Sequence, residues 1–351
     1  MSSKNSKKKG RGARIALIVF VVALSLILLL LLGVLFWVDS LLGQLTKPED
    51  QHATLSSAEL DSILNDVDET LADPTVVILE PEEIIMPTEP VQIAVEDDDN
   101  LINIMLVGQD TSDMTTRSRS DSMILITINK ERKTLTMTSF LRDMYVTIPE
   151  YYDQRLNVAY AVGGFEALYD SLEYNFGVKV NKGISVNFSS FRKVVDAVGG
   201  VDITLTGAEA GHLNEKGGWG LRKGENHLNG SAALAYARIR KLDGDFARTN
   251  RQRTVMTAIL EKAKTLSVSE LYELVKILIP MVATDMTEAE ILTTAVELAP
   301  LLKDLTIITQ RIPIDDAYYH AGVKGMAVLI PDLEVNRQFL EDTIGNLEGT
   351  G

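Results

Sequence analysis

Apolar and polar positions divide this chain into three regimes. From Ile15 to Val38 the positions form one run, "IALIVFVVALSLILLLLLGVLFWV", with no charged residue. A helix of that length reaches ~36 Å against a hydrocarbon core of ~30 Å, so the run predicts a tilted membrane-spanning helix. From Thr46 to about Asn100 the pattern loosens and prolines recur at 48, 74, 81, 87 and 90. Within that stretch Leu60, Ile63, Leu64, Val67 and Leu71 share one helical face behind a capping box of Ser56 and Glu59, which predicts a helix near 57–72.

From Leu101 the pattern becomes dense. "LINIMLVG", "SMILITIN" and "KTLTMTS" read as three strands, followed by a helix over "NVAYAVGGFEALYDSLEYNFG". Asn157 is placed at its N-cap and Gly177 at its stop, with Gly163 and Gly164 marking a break. A strand "GISVNF", a helix "SFRKVVDAVGG" and a strand "VDITLT" come next. Beyond Arg253 the chain reads as mostly helical to about Leu302, then a strand "LTIITQRIPI" and a closing helix "NRQFLEDTI". Strands alternating with helices predict an α/β domain in which a mixed central sheet is packed between helices. The expected organisation is a tail over 1–14, an anchor over 15–38, a linker over 39–100 and one domain over 101–347.

Charge refines this picture. Lys4, Lys7, Lys8, Lys9, Arg11 and Arg14 precede the apolar run, whereas the residues after it begin with Asp39. That asymmetry keeps the N-terminus in the cytoplasm and places everything after Trp37 outside. The run is longer than a signal-peptide core and no small-x-small cleavage site follows it, so an uncleaved anchor is expected. The linker is acidic and closes on "EDDD". With no cysteine, thiol catalysis, thiolate metal sites and disulfides are excluded; four scattered histidines offer no metal-ligand spacing. G-x-S-x-G, Walker and G-x-G-x-x-G signatures are missing from the sequence. A formal net charge of -15 and an extracellular domain argue against nucleic acid as a partner.

Against that acidic balance, "ARIRKLDGDFARTNRQR" concentrates five arginines and a lysine between Ala237 and Arg253. If "ALAYARIR" ends extended, Arg238 and Arg240 point to one side. "DGDFARTNRQRTVMTAIL" reads as a loop opening a helix, with Asp245 near the N-cap and Arg248 and Gln252 four apart on one face. Arginines in a first helical turn oppose the dipole unless an anion binds there, which makes the stretch a setting for phosphate. Asp110 follows the first strand, Arg117, Arg119 and Asp121 lead into the second, and Arg142 with Asp143 follows the third. Ligands of open α/β sheets bind at such strand ends.

Taken in order, "LVGQD", "RSRSDSM", "SFLRDMYV", "RLNVAYAVGG", "VVDAVGGVDITL", "LNGSAALAYARIR" and "DFARTNRQR" resemble the LytR-CpsA-Psr family of bacterial cell-envelope enzymes, over about Leu101 to Leu260. The resemblance implies a membrane-anchored phosphotransferase of a Gram-positive-type envelope. Its substrate would be an anionic glycopolymer such as teichoic acid or capsule on a polyprenyl pyrophosphate carrier, and its acceptor peptidoglycan, joined by a phosphodiester. It also implies that Asp110 and Asp121 hold Mg²⁺ (Mn²⁺ as the alternative), and that Arg119, Arg142, Arg238, Arg240, Arg248 and Gln252 surround the pyrophosphate. Asp110, Asp121, Arg142 and Arg240 are then the catalytic set. Mg²⁺ suits two carboxylates plus phosphate oxygens. The chain departs from many members at Leu141, where they carry proline, and in a shorter loop between Arg240 and Arg248. "MILITI", "FRKVVDAVGG" and "VMTAIL" either line a cavity for the prenyl tail or form ordinary core. The base that takes the acceptor's proton is left among the aspartates. Two alternatives stay open: a pyrophosphohydrolase acting on the same carrier, and a module that binds polyprenyl phosphate without turnover.

Overall fold

The computed structural model describes residues 77–98, 100–109, 117–267, 281–287 and 300–345, with single positions between 270 and 298. The tail 1–14, the apolar run 15–38, the helix expected near 57–72 and Asp110 lie outside the described residues. All described residues belong to the second of two units, Thr46–Gly351. Among them no helix is long and apolar enough to cross a membrane.

A short strand, β1 (Val77–Leu79), precedes three long ones, β2 (Leu101–Gln109), β3 (Ser120–Asn129) and β4 (Thr134–Phe140). In β3, Met123 and Leu125 enter one packed layer while Ile124, Ile126 and Ile128 enter another, so the strand is apolar on both faces. Two-residue strands β5 (Tyr145–Val146) and β6 (Gln154–Arg155) lead into α1 (Asn157–Phe176). Leu156 rather than Asn157 holds the cap position of α1, without a side-chain cap. The glycine pair does break the helix, because Gly164 takes φ 70° and ψ -147°, a conformation that only glycine adopts cheaply.

β7 (Gly183–Val186) and α2 (Phe188–Ala197) follow, the helix capped by Asn187, whose side chain accepts from the Ser190 N–H. β8 (Val201–Leu205) pairs with β9 (Gly224–Leu228) across α3 (Gly207–Gly217), which opens on a reciprocal Thr206–Glu209 capping box. α4 (Gly230–Ala237) is capped by Asn229, and α5 (Gly244–Thr265) follows after a tight loop. The expected helical run to Leu302 is interrupted by β10 (Ala283–Thr284), which pairs with β7. The chain closes with β11 (Thr306–Ile312), a hairpin of β12 (Tyr318–Val323) and β13 (Met326–Pro331), and α6 (Leu333–Ile344).

The six-stranded sheet has the order β10-β7-β2-β3-β4-β11. β7 runs parallel to β2 and β11 parallel to β4, while β2–β3 and β3–β4 are antiparallel, so the sheet is mixed as expected. One face packs under α1 and α6, with Phe140, Leu168, Leu172, Phe176 and Leu340 in its core. The other packs under α5 through Met256 and Leu260. β1, in the stretch assigned from sequence to the linker, pairs in parallel with β12 and joins a smaller three-stranded sheet. This topology brings the C-terminal ends of β2, β4, β7 and β11 and the N-terminal end of β3 to one edge.

Candidate active site

At that edge four elements converge on one carboxylate. Asp121, the second residue of β3, receives Arg142 Nη1 on its Oδ1 at 2.7 Å from the turn after β4. Arg240 Nη2, from the loop after α4, reaches the same oxygen at 3.2 Å, and Arg248 Nη1, from the second turn of α5, lies 3.7 Å away. Arg248 also donates to the backbone carbonyl of Asp121 at 3.4 Å, although its side chain is only 3% exposed. The shortest approach of each of the three guanidinium groups to the Asp121 carboxylate is to Oδ1.

A second acidic centre braces the same guanidinium groups. Arg248 Nη2 straddles Asp245, 2.8 Å from Oδ1 and 2.9 Å from Oδ2, at the i,i+3 spacing of a helical first turn. Arg142 Nε and Arg240 Nε approach Asp245 Oδ1 at 3.8 and 3.7 Å, and Arg142 Nε lies 3.3 Å from Asp143 Oδ2. Burial drives the Asp245 carboxyl up to about 6; Arg142 and Arg240 oppose the rise and the negative neighbours Asp143 and Asp121 add to it. Burial would lower Arg142, but Asp143, Asp245 and Asp121 together outweigh it and hold that guanidinium above its ordinary value. Three arginines and three aspartates thus interlock, with an acidic first turn of α5 on the favourable side of the helix dipole.

Residues 77–340 match the LytR_cpsA_psr family. The chain belongs to that family. It is 37% identical over 195 residues to the polyisoprenyl-teichoic acid–peptidoglycan teichoic acid transferase TagU of Bacillus licheniformis, a match covering 54% of this chain and 62% of TagU. This chain therefore spans less than two thirds of that relative's length. The crystal structure of B. subtilis TagT superposes with a TM-score of 0.58 at 26% identity, covering 74% of this chain and 98% of that one. A structure of TagT with bound octaprenyl pyrophosphate lipid superposes with a TM-score of 0.56 at 25% identity, covering 74% and 97%.

Of the residues singled out by their likeness to the LytR_cpsA_psr pattern, Asp121, Arg142, Arg240 and Arg248 come together, while Asp110 lies outside the described residues. Arg119 sits half-buried just before β3, and Gln252 lies one helical turn beyond Arg248, also half-buried. The stretch before Arg238 is not extended as expected. "GSAALAYA" is helical, as its alanines favour, so Arg238 falls at the C-cap with φ -105° and ψ 4° instead of on a strand. Its guanidinium stacks 4.0 Å from the centroid of the Phe188 ring.

The remaining cations of the Ala237–Arg253 stretch divide their roles. Arg251 turns away from Asp121 and locks α5 to α3 through Glu209 at 2.7 Å. It holds the preceding loop through Asp243 at 2.8 and 2.5 Å and through the Ile239 carbonyl at 3.2 Å. Asp245 and Asp143 belong to the cluster; from sequence Asp143 stands at a strand end and Asp245 near a helix start, but neither was assigned a catalytic, metal or pyrophosphate role. The D-x-x-R spacing of Asp245 and Arg248 is the signal that points to the first, since it places an acid and a base on one face of a helical turn.

Proposed function

We propose that this LytR_cpsA_psr protein transfers an anionic glycopolymer, teichoic acid, capsule or similar, from a polyprenyl pyrophosphate carrier to peptidoglycan. The observation that carries the reading is the meeting of Arg142, Arg240 and Arg248 on the single oxygen Asp121 Oδ1. Planar guanidinium forks held at a strand edge suit the oxygens of a diphosphate. Likeness to TagU and to TagT with octaprenyl pyrophosphate supports the same chemistry.

In the proposed reaction an acceptor hydroxyl of peptidoglycan attacks the phosphorus that bears the glycan. The P–O bond to the bridging oxygen breaks, polyprenyl monophosphate leaves with that oxygen, and a phosphodiester forms. Phosphoryl transfer requires mainly charge neutralisation and alignment, which Arg142, Arg240 and Arg248 supply. Asp245, buried among those arginines, takes the hydroxyl proton. Asp121, a carboxylate at the sheet edge, suits a hard cation by its oxygen donors, and among the described residues no cluster of three or more acidic or histidine side chains that could hold a metal competes for one. Mg²⁺ or Mn²⁺ would be held there by Asp121 with Asp110, and when bound it would neutralise phosphate oxygens. Residues 15–38 would anchor the chain with the domain outside the cell membrane.

The test is product analysis. The 351-residue chain in detergent micelles is supplied with lipid-pyrophosphate-linked glycopolymer, peptidoglycan and Mg²⁺. Covalent polymer–peptidoglycan and polyprenyl monophosphate should form, with the rate about 10²–10³-fold lower in Arg240→Ala, by analogy with loss of one oxyanion donor. Phosphorylated glycopolymer released with water as acceptor would instead assign hydrolysis, and no turnover would leave a binding module.

A further inference from the structure

Arg253 lies outside the Asp121 cluster and is 7% exposed, yet its Nε and Nη1 have no hydrogen-bond partner. Among the described residues its one polar contact is Nη2 to Asn250 Oδ1 at 3.4 Å. A guanidinium removed from water without a counter-charge is expensive, so a protein keeps one there only if something repays the desolvation.

Its surroundings are set by the packing of α5 on the sheet. The N-terminal end of α5 meets Arg142 beyond the end of β4, while Lys264 near its C-terminal end donates to the Leu305 carbonyl at the start of β11. Helix α5 thus runs antiparallel to β4 and β11. Along it, Phe246, Arg253, Met256 and Leu260 recur at spacings of seven, three and four, one stripe facing the sheet. On β4, Leu135, Met137 and Ser139 alternate onto that same face, where Leu135 and Met137 pack with Met256 and Leu260.

Arg253 therefore falls at the level of Ser139, whose hydroxyl is also buried without a partner, the residue being 1% exposed. Ser139 pairs with Arg311 of β11, so both side chains share the face. Arg311 stacks 4.6 Å from the Phe246 centroid on the same helical stripe. Its own charge is met by Asp315 and its donors by the Pro313 carbonyl. Burial, and after it the like charge of Arg311, brings Arg253 down to about 10. The uncompensated positive charge of this region is Arg253.

We propose that Arg253, with Ser139 and Arg311, forms a second anion site between α5 and the sheet that takes the phosphoryl group of free phosphate or of a lipid monophosphate. A guanidinium fork with two free donors beside a hydroxyl donor matches two oxygens of a tetrahedral anion. The site shares none of Asp121, Arg142, Arg240 and Arg248 with the cluster at the start of β3, and it does not depend on the transfer reaction.

Calorimetric titration of the full chain in detergent micelles with inorganic phosphate tests it. Wild type should bind two phosphates, and Arg253→Met and Arg240→Ala one each. Arg253→Lys, which keeps the charge without the fork, should weaken the second phosphate by about tenfold. Without phosphate, Arg253→Met should melt above wild type, because it removes a buried unpaired charge, and it should gain less than wild type when phosphate is added. Farnesyl monophosphate displaces the second phosphate if the site takes a lipid headgroup, and leaves it bound if the site takes free phosphate. Equal stoichiometry and affinity in wild type and Arg253→Met overturn the proposal. So does a lower melting temperature in Arg253→Met with an unchanged gain from phosphate, which marks a structural arginine. Two bound phosphates with no polymer transfer would sink the transferase reading and leave this site standing.

Discussion

Asp245 shows how much one side chain's surroundings decide. Its carboxyl would titrate near 3.8 when exposed, and burial lifts it to about 6. The folded protein therefore binds more protons than the unfolded chain between those values, so this group's contribution to stability falls as pH rises through that window. Wild type should lose stability relative to Asp245→Asn between about pH 4 and pH 7, read as the difference in melting temperature along a pH series. The transfer rate should rise through about pH 6 in wild type, and that acidic limb should vanish in Asp245→Asn with a large loss of rate. A limb that survives the substitution would move the proton acceptor elsewhere. Asp121, Arg142 and Arg248 were visible in the sequence because each stands beside a recognisable strand end or helix start. The pull of burial on Asp245 was not, because depth beneath neighbouring elements leaves no trace in local spacing.

At the scale of elements, α5 carries both chemistry and attachment. Arg248 faces Asp121, whereas Arg251, three residues on, reaches Glu209 of α3 and Asp243 of the preceding loop. Breaking a buried pair strands the surviving charge, so Arg251→Met should cost about 3–5 kcal/mol in urea unfolding by leaving Glu209 unpaired. Prenyl diphosphate affinity of the folded fraction should stay close to wild type, and a selective loss of binding with full stability would contradict the assignment. Which arginine was which could not be read in advance, since the direction of each depends on where α3 and α4 pack. The extended backbone expected around Arg238 is replaced by a helix end for a related reason: the alanine-rich stretch before it is helical, so period two does not describe it. The strands of the sheet, in contrast, were legible because β2, β3 and β4 are apolar over lengths that match their burial.

For the whole molecule, the order of strands places Asp121, Arg142, Arg240 and Arg248 at one sheet edge. The antiparallel insertion of β3 between β2 and β4 makes a strand start, with Asp121, neighbour the strand end that carries Arg142. That adjacency comes from long-range pairing, so the sequence could give the members of the site but not their meeting. The proposed anchor makes a further prediction at this scale. Alkaline phosphatase fused after Gly351 should be active outside the cell and membrane-bound, and deletion of residues 1–38 should abolish export; cytoplasmic, inactive fusions would reverse the topology. The central claim is that a diphosphate is held by the guanidinium groups gathered around Asp121. Its most direct test is equilibrium binding of farnesyl diphosphate to the full chain. Arg142→Ala, Arg240→Ala and Arg248→Ala should each weaken binding by about 10–100-fold, the scale of a lost charged hydrogen bond. Unchanged affinity in all three would contradict the account.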